Sequence, residues 1–154
     1  MALPLRELPK LRRRTLAGLA AFLAAQMDDA ERITRERLAI WDRYHAAFAA
    51  LEAGERVRRP MIPPHCRHNA HMYYLLLGDL DARTQFIATL KSAGIHCVFH
   101  YVPLHDSPAG RRYARSVGEL AVTNDVSQRL VRLPLWLPDM DQARVIEAVE
   151  GFFR

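Results

Sequence analysis

Lysine is almost missing from this sequence, and its scarcity limits the chemistry that the chain can perform. Of the 22 lysine and arginine residues in the 154-residue chain, only Lys10 and Lys91 are lysines. An amine nucleophile must therefore be one of these two. Lys91 falls near the end of a predicted helix, where a cation complements the helix dipole. Because reactive lysines are usually desolvated or lie beside another charge, we expect both lysines to be surface residues.

Cysteine is scarce as well. Cys66 and Cys97 are too few for the disulfide scaffold of a small secreted domain, which favours reduced thiols and a cytoplasmic location. Cys97 falls in a predicted strand, on the face opposite His96, because side chains alternate along a strand. We expect a buried, unreactive thiol there. The sequence also has no Gly-x-Ser-x-Gly motif and no glycine-rich loop that could cradle a phosphate.

No apolar run reaches the roughly 20 residues that a membrane-spanning helix needs. Near the start, however, three arginines at 12–14 precede the apolar stretch 16–25. This order is typical of a signal peptide. The alternative is a helix of the mature protein that is apolar on most faces and therefore buried. Composition alone leaves both interpretations open.

The charge pattern gives little support to a nucleic-acid-binding protein, and the pattern of metal-ligand residues gives little support to a metalloprotein. The formal net charge is +5, but the arginines are scattered apart from 12–14 and 56–59, and no nucleic-acid motif accompanies them. Four ligand-type side chains lie close together at His65, Cys66, His68 and His71. Zinc sites usually draw on two separated pairs, whereas this is a single cluster. We therefore expect an arginine-rich solvated surface and no metal site.

The hydrophobic pattern predicts one α+β domain, in keeping with a chain of this length. Helices are expected at 15–26, 29–52, 82–93 (capped by Asp81) and 124–130, with a last helix beginning at a capping box of Asp139 and Gln142. Strands are expected at 71–77, 95–101 and 131–136, with a long loop at 102–121. The strands are few and short, which predicts a small sheet packed against helices.

The turn after the second strand carries the candidate ligand-binding residues. Alternation sends His100 and Tyr101 to opposite faces, and Pro103 then ends the strand. His105 follows in the loop. Loops presented by a rigid sheet often carry recognition groups, although a loop histidine with an ordinary structural role fits these residues equally well.

Six segments in this order resemble the C-terminal portion of the DegT/DnrJ/EryC1/StrS sugar-nucleotide aminotransferases. The segments are AAFLAAQ at 20–26, RLAIW at 37–41, NAHMYY at 69–74, VFHYVPLH at 98–105, PAG at 108–110 and RLPL at 132–135. The resemblance covers residues 19–154 and leaves 1–18 as an unmatched segment. It favours the mature helix over the signal peptide. An abrupt loss of similarity at residue 18 suggests a truncated or frame-shifted gene.

The resemblance implies a fold and a reaction. The fold is the small C-terminal domain of a fold-type I pyridoxal-phosphate (PLP) enzyme, with a short, mostly antiparallel sheet packed against helices. The reaction moves an amino group from glutamate to a TDP-4-keto-6-deoxy sugar nucleotide in surface-polysaccharide biosynthesis. By motif position, His100, Tyr101 and His105 are the expected substrate contacts.

The resemblance also implies what these residues lack. In the family, the cofactor lysine, the acidic partner of the pyridinium nitrogen and the phosphate cup belong to a large N-terminal domain. Neither Lys10 nor Lys91 stands in a matching motif. We therefore expect no catalytic and no cofactor-binding residue in this chain, no PLP held by it alone, and a large-domain polypeptide or a second copy as partner. The alternatives are a non-enzymatic interaction module, a remnant that binds nucleotide sugars, and a basic nucleic-acid binder.

Overall fold

A computed structural model describes residues 8–136 and 141–154, with side chains from residue 15 onward in the first stretch. The chain divides into two compact units, 1–36 and 37–154. Its helices are α1 (Leu8–Asp28), α2 (Ala30–Ala47), α3 (Ala49–Ala53), α4 (Leu80–Ser92), α5 (Pro108–Tyr113), α6 (Ala121–Arg129) and α7 (Gln142–Phe152). Its strands are β1 (Tyr73–Leu76), β2 (Val98–Phe99) and β3 (Leu130–Leu133).

The first unit is helical. Helix α1 starts earlier than predicted, and its large apolar side chains are exposed: Phe22 is 68% and Met27 is 67% accessible. The prediction of a buried helix is therefore wrong here, because the apolar positions lack a covering layer within this unit. At the start of α2, the Arg32 guanidinium pairs with Asp29 at 2.8 Å and with Glu36 at 3.1 Å. Such pairs one turn apart favour the helix modestly.

The second unit is built on a three-stranded antiparallel sheet in the order β1-β3-β2. Strand β3 is last along the chain but occupies the centre, where Val131 pairs with Leu75 on one side and Phe99 on the other. The predicted α+β fold, with a small antiparallel sheet packed against helices, is confirmed. The predicted strands are longer than those observed, and β2 is reduced to two residues.

One face of the sheet packs into the core. Its fully buried members are Tyr73, Leu75 and Val131, and they meet apolar side chains of three helices. The helical contributors are Tyr44 and Phe48 near the end of α2, Phe86 and Leu90 of α4, and Val145 and Val149 of α7. The Tyr44 hydroxyl donates a hydrogen bond to the Pro134 carbonyl at 3.0 Å, which joins α2 to the end of β3.

Helix ends follow local side-chain chemistry. Helix α4 begins two residues earlier than predicted, because the Asp79 carboxylate accepts a hydrogen bond from the Ala82 N–H at 2.7 Å; Asp81 lies in the first turn instead. Gly94, at φ +73°, follows the end of α4 as predicted. Helix α7 is capped by Asp141, whose carboxylate accepts from the Arg144 N–H at 3.1 Å. The predicted cap at Asp139 lies outside the described residues.

The predicted loop at 102–121 is more ordered than expected. Residues Leu104–Asp106 form a 3-10 turn, and α5 follows at once. The Ser107 hydroxyl accepts from the Gly110 N–H at 2.9 Å and donates to the Leu104 carbonyl at 2.8 Å, so one side chain serves both elements. Pro108 occupies the first turn of α5, a position that its fixed φ suits.

Candidate functional site

Two adjacent grooves lie where β2 runs into the 3-10 turn. The first, here called the His100 groove, has a volume of about 420 Å³. Its walls are residues 100–104, which follow β2, together with Val122, Thr123, Val126, Ser127 and Leu130 from α6 and the start of β3. The walls are mainly apolar, and two hydroxyls, a phenol and an imidazole supply the polar side-chain groups. A mostly apolar cleft with a few placed polar groups is typical of a small-molecule site.

The second, here called the Gly110 groove, has a volume of about 470 Å³. It lies against α5 and is lined by Leu104, His105, Gly110, Arg111, Ala114, Arg115, Ser116, Val117 and Leu120. Leu104 lines both grooves and therefore forms part of the wall between them. Position 110 requires a glycine because the Leu104 backbone lies too close for a side chain: a Cβ built on Gly110 would lie 1.6 Å from the Leu104 carbonyl oxygen.

The three predicted substrate contacts are divided between these grooves. His100 and Tyr101 line the His100 groove, whereas His105 lines the Gly110 groove. The rings of His100 and Tyr101 meet edge to face, with centroids 4.7 Å apart. Tyr101 is 66% exposed and can contact a ligand. The role of all three residues as substrate contacts stays a prediction.

His105 has a structural partner that the sequence did not indicate. Its Nε2 lies 2.8 Å from Oδ1 of Asn124, a residue of α6. The His105 side chain is mostly buried, and the Asp106 carboxylate is 3.9 Å from the same nitrogen. This contact links the 3-10 turn to α6, and these two elements help to build both grooves.

His100 is the more unusual histidine. Its Nδ1 is buried and has no hydrogen-bond partner. Burial lowers the pKa of His100, and the neighbouring Arg132 guanidinium and His71 imidazole lower it further. His100 is therefore held towards its neutral form, in which one ring nitrogen donates and the other accepts a hydrogen bond.

Arg132 is a residue near the site to which the sequence analysis gave no role. It lies on β3 between the buried Val131 and Leu133, so alternation places it on the face away from the core. Its guanidinium carbon is 5.7 Å from the centre of the Tyr101 ring. One sequence feature could have identified Arg132: it is a charged residue between two apolar ones, at the start of the RLPL segment.

The NAHMYY segment positions β1 rather than lining a groove. The Arg37 guanidinium donates to the Ala70 carbonyl at 3.0 Å and to the His71 carbonyl at 2.5 Å. The Asn69 side-chain oxygen accepts from the His71 N–H at 3.1 Å. Ala70 is buried and has φ +50°, which side chains rarely adopt, so these hydrogen bonds hold a strained turn.

The remaining candidates from the sequence are the two cysteines and the cluster of possible metal ligands. Cys97 is buried, as expected, and burial raises its pKa to about 12; its lack of reactivity stays a prediction. Cys66 is exposed. Among the described residues, no group of three or more His, Cys, Asp or Glu side chains could hold a metal ion. Within the same residues, no helix is long and apolar enough to cross a membrane.

Arginines that suggested a basic surface are partly used inside the protein. The Arg59 guanidinium forms an ion pair with the Glu52 carboxylate at 2.7 Å and also donates to the His45 carbonyl. The Arg56 guanidinium donates to the Phe153 carbonyl at 3.0 Å. These contacts join α2, α3 and α7 to the segment before β1. Two arginines of the 56–59 cluster therefore have structural partners.

Comparison with known proteins identifies relatives of this architecture. The sequence model of the DegT/DnrJ/EryC1/StrS aminotransferase family matches residues 15–151. An uncharacterized protein of Methanocaldococcus jannaschii is 32% identical over 131 residues, which are 82% of this chain and 33% of that protein.

Two solved structures share the fold of this chain. DesV of S. venezuelae, solved in complex with a ketimine intermediate, superposes with a TM-score of 0.76 at 26% identity, covering 88% of this chain and 36% of DesV. The putative sugar aminotransferase Spr1654 of Streptococcus pneumoniae, in its PLP form, superposes with a TM-score of 0.64 at 24% identity, covering 84% of this chain and 32% of that one. The chain therefore spans about a third of the length of the relatives it matches.

Proposed function

Because this chain belongs to the DegT/DnrJ/EryC1/StrS aminotransferase family, we propose that it supplies the small C-terminal domain of a PLP-dependent sugar aminotransferase. The observation that carries the proposal is the His100 groove, which lies within the residues that match the family. The proposed reaction transfers an amino group from glutamate to a TDP-4-keto-6-deoxy sugar in surface-polysaccharide biosynthesis. The activity would be that of a TDP-4-amino-4,6-dideoxygalactose transaminase, in the cytoplasm.

The composition of the His100 groove suits a deoxy sugar. A 6-deoxy sugar carries a methyl group where other hexoses carry a hydroxymethyl group, and Val122, Val126 and Leu130 offer an apolar wall. The hydroxyls of Thr123 and Ser127 can hydrogen-bond the ring oxygens. His100 and Tyr101 would contact the substrate from the opposite wall. His105 would act from the Gly110 groove, and its bond to Asn124 keeps the turn in place.

The residues present do not fit the cofactor by themselves. PLP acts through a lysine Schiff base and an acidic or basic partner at its ring nitrogen. Neither groove has a lysine in its wall. Lys91 is exposed in the last turn of α4, and the side chain of Lys10 lies outside the described residues. We therefore assign this chain to substrate binding and assign cofactor binding to a large-domain polypeptide.

Helix α1 is the surface that we assign to that partner. Its exposed apolar residues include Leu16, Leu19, Phe22, Leu23 and Met27. Contiguous exposed apolar side chains usually mark an interaction surface. The relatives contain about two further thirds of sequence beyond the part that this chain matches, and a polypeptide equivalent to that part could cover the helix.

The test separates binding from turnover. The 154-residue chain is titrated with TDP-4-keto-6-deoxyglucose, and binding is followed by saturation-transfer NMR. We expect saturable binding that His100→Ala and Tyr101→Ala weaken. The matched control is His96→Ala, which removes an exposed histidine from the segment just before β2. Turnover is then assayed with glutamate and PLP, first with the chain alone and then with the large domain of a family member added as a separate polypeptide.

The outcomes are distinct. Binding without turnover by the chain alone, followed by turnover in the mixture, supports both parts of the proposal. Turnover by the chain alone would overturn the assignment of cofactor binding to a partner. Absence of sugar-nucleotide binding, or equal losses in the groove variants and the control, would overturn the assigned substrate site.

A further inference from the structure

The sheet has a second face, opposite the core, on which a row of three side chains crosses all three strands. In register, Arg132 of β3 pairs with Tyr74 of β1 and with Val98 of β2. Paired residues of antiparallel strands project to the same face. All three are only half-buried, whereas their neighbours Leu75 and Val131 are fully buried on the core face. Arg132 is therefore the charged residue at the centre of the open face.

The guanidinium of Arg132 has a donor without a hydrogen-bond partner. Its Nε is buried and has no hydrogen-bond partner, and none of the ion pairs among the described residues includes Arg132. Its known neighbour is the Tyr101 ring, at 5.7 Å from the guanidinium carbon. A buried donor without an acceptor lowers the stability of the fold, and the effect is larger for a charged group. Such a group in a folded protein calls for a specific acceptor.

The second unsatisfied group is next to the first. The Nδ1 of His100 is buried without a partner, and the His100 ring packs edge to face on the same Tyr101 ring. The charged groups that act on His100 are Arg132 and His71, and both disfavour a positive charge on its ring. No carboxylate is among them. Arg132 thus places a permanent positive charge beside a histidine that is held towards its neutral form.

We infer that Arg132, together with His100, binds a phosphoryl group that enters from the His100 groove. The planar guanidinium presents its donors in a fork that matches phosphate oxygens. A neutral His100 can donate one further hydrogen bond. The exposed Tyr101 ring contacts both groups and forms part of the groove wall, so a ligand could place its phosphate at Arg132 and its apolar part along α6.

This inference rests on the proposed function for the identity of the natural ligand, which would carry the phosphoryl group of a nucleotide sugar. The site itself does not depend on that identity. Inorganic phosphate is small enough to test the site without a sugar or a nucleotide. A carboxylate would be the competing anion, because it is also planar and matches a guanidinium. The two anions can be compared on the same sample.

The experiment is a titration of the 154-residue chain with inorganic phosphate at constant ionic strength, followed by two-dimensional NMR of the His100 imidazole and the Arg132 side chain. A parallel titration uses glutarate. Arg132→Gln removes the charge, and Arg132→Lys keeps the charge without the fork. The matched control is Arg112→Gln, because the Arg112 guanidinium lies 5.1 Å from the Tyr113 ring centre in a similar but exposed arrangement. Each variant is first checked for the wild-type amide spectrum.

We expect saturable shifts at both side chains with phosphate, an affinity at least about tenfold weaker in Arg132→Gln, an intermediate loss in Arg132→Lys, and no change in Arg112→Gln. Shifts that do not saturate, or equal losses in the Arg112 control, would overturn the site. Saturation by glutarate but not by phosphate would overturn the assigned anion. Phosphate binding by a chain that does not bind TDP-4-keto-6-deoxyglucose would leave this inference standing while the proposed substrate site fails, and the reverse result would do the opposite.

Discussion

His105 and Asn124 are joined by a contact of 2.8 Å between the histidine Nε2 and the side-chain oxygen Oδ1. His105 belongs to the 3-10 turn after β2, and Asn124 belongs to α6. The contact spans 19 residues of sequence and holds together the two segments that build the walls of the His100 groove. A residue proposed to contact substrate is thus also a residue that shapes the groove.

A double-mutant cycle on this pair should reveal coupling. His105→Ala and Asn124→Ala should each lower the free energy of unfolding by about 0.5–1.5 kcal/mol, because each breaks the same partly buried hydrogen bond. The double variant should lose less than the sum of the two. Urea denaturation measures all three. Gln128→Ala, an exposed change on the same helix, should have little effect, and additive losses at positions 105 and 124 would show that the contact contributes nothing.

Gly110 and Gly151 should respond oppositely to the same substitution. Gly110→Ala places a Cβ against the Leu104 carbonyl, so the 3-10 turn must shift, at a cost of about 1–3 kcal/mol. Gly151 lies in α7 with open space around it, so Gly151→Ala should raise stability by about 0.5–1 kcal/mol. Thermal and urea unfolding of both variants provide the measurement. Equal effects at the two positions would contradict the close approach at Gly110.

Stability should decline as the pH falls below about 6.5, the ordinary pKa of histidine. Burial lowers the pKa values of His45 and His100 in the folded chain, so the unfolded chain binds more protons in this range. Their contribution to stability is complete above the unfolded pKa and is lost as the pH falls through the folded values. Urea unfolding between pH 8 and about pH 5 measures the slope.

The double variant His45→Gln, His100→Gln should flatten that slope. His45 stacks on Trp41 at 4.6 Å, and its Nδ1 is buried without a partner, so glutamine preserves bulk while removing the titration. NMR titration of each ring in the wild-type chain should give a pKa below the ordinary histidine value. An unchanged slope in the double variant would assign the acid sensitivity to other groups.

The two thiols should differ sharply in reactivity. Cys66 is exposed, whereas Cys97 is buried and its pKa is raised to about 12. Because the thiolate is the reacting form, a thiol reagent at neutral pH should label one cysteine in the native chain and two in denaturant. Cys66→Ser should abolish the native labelling, while Cys97→Ser should leave it unchanged. Native labelling of Cys97 would show that the core opens on the time scale of the reaction.

The sequence predicted the elements better than their ends. The position of each predicted strand was recognisable, because runs such as Tyr73–Leu76 combine aromatic and aliphatic residues. The lengths were overestimated, since β2 makes only two ladder pairs with β3 at the edge of a narrow sheet. Helix α5 was missed because it depends on Ser107 and Pro108 at its start, and a serine–proline pair is equally typical of a loop.

The site was predicted only in part, for a physical reason. The turn that carries His100 and Tyr101 could be located from alternation and Pro103, but the Asn124 partner of His105 comes from a different helix, and sequence spacing does not indicate that contact. Arg132 was passed over because a single arginine between two apolar residues looks like an ordinary solvent-facing position. Its importance depends on register with β2, which only the fold defines.

The central position of β3 in the sheet affects how the chain folds during synthesis. Strands β1 and β2 do not touch each other in the ladder; each pairs with β3, which is the last of the three to leave the ribosome. Helices such as α2 and α4 can form as they emerge, and Leu76 of β1 can bridge to Arg58, but the ladder pairs of both outer strands wait until residues 130–133 are made. Long-range pairing of this kind slows folding. A nascent chain that ends before Leu130 should therefore be helical, without a sheet, and dependent on chaperones.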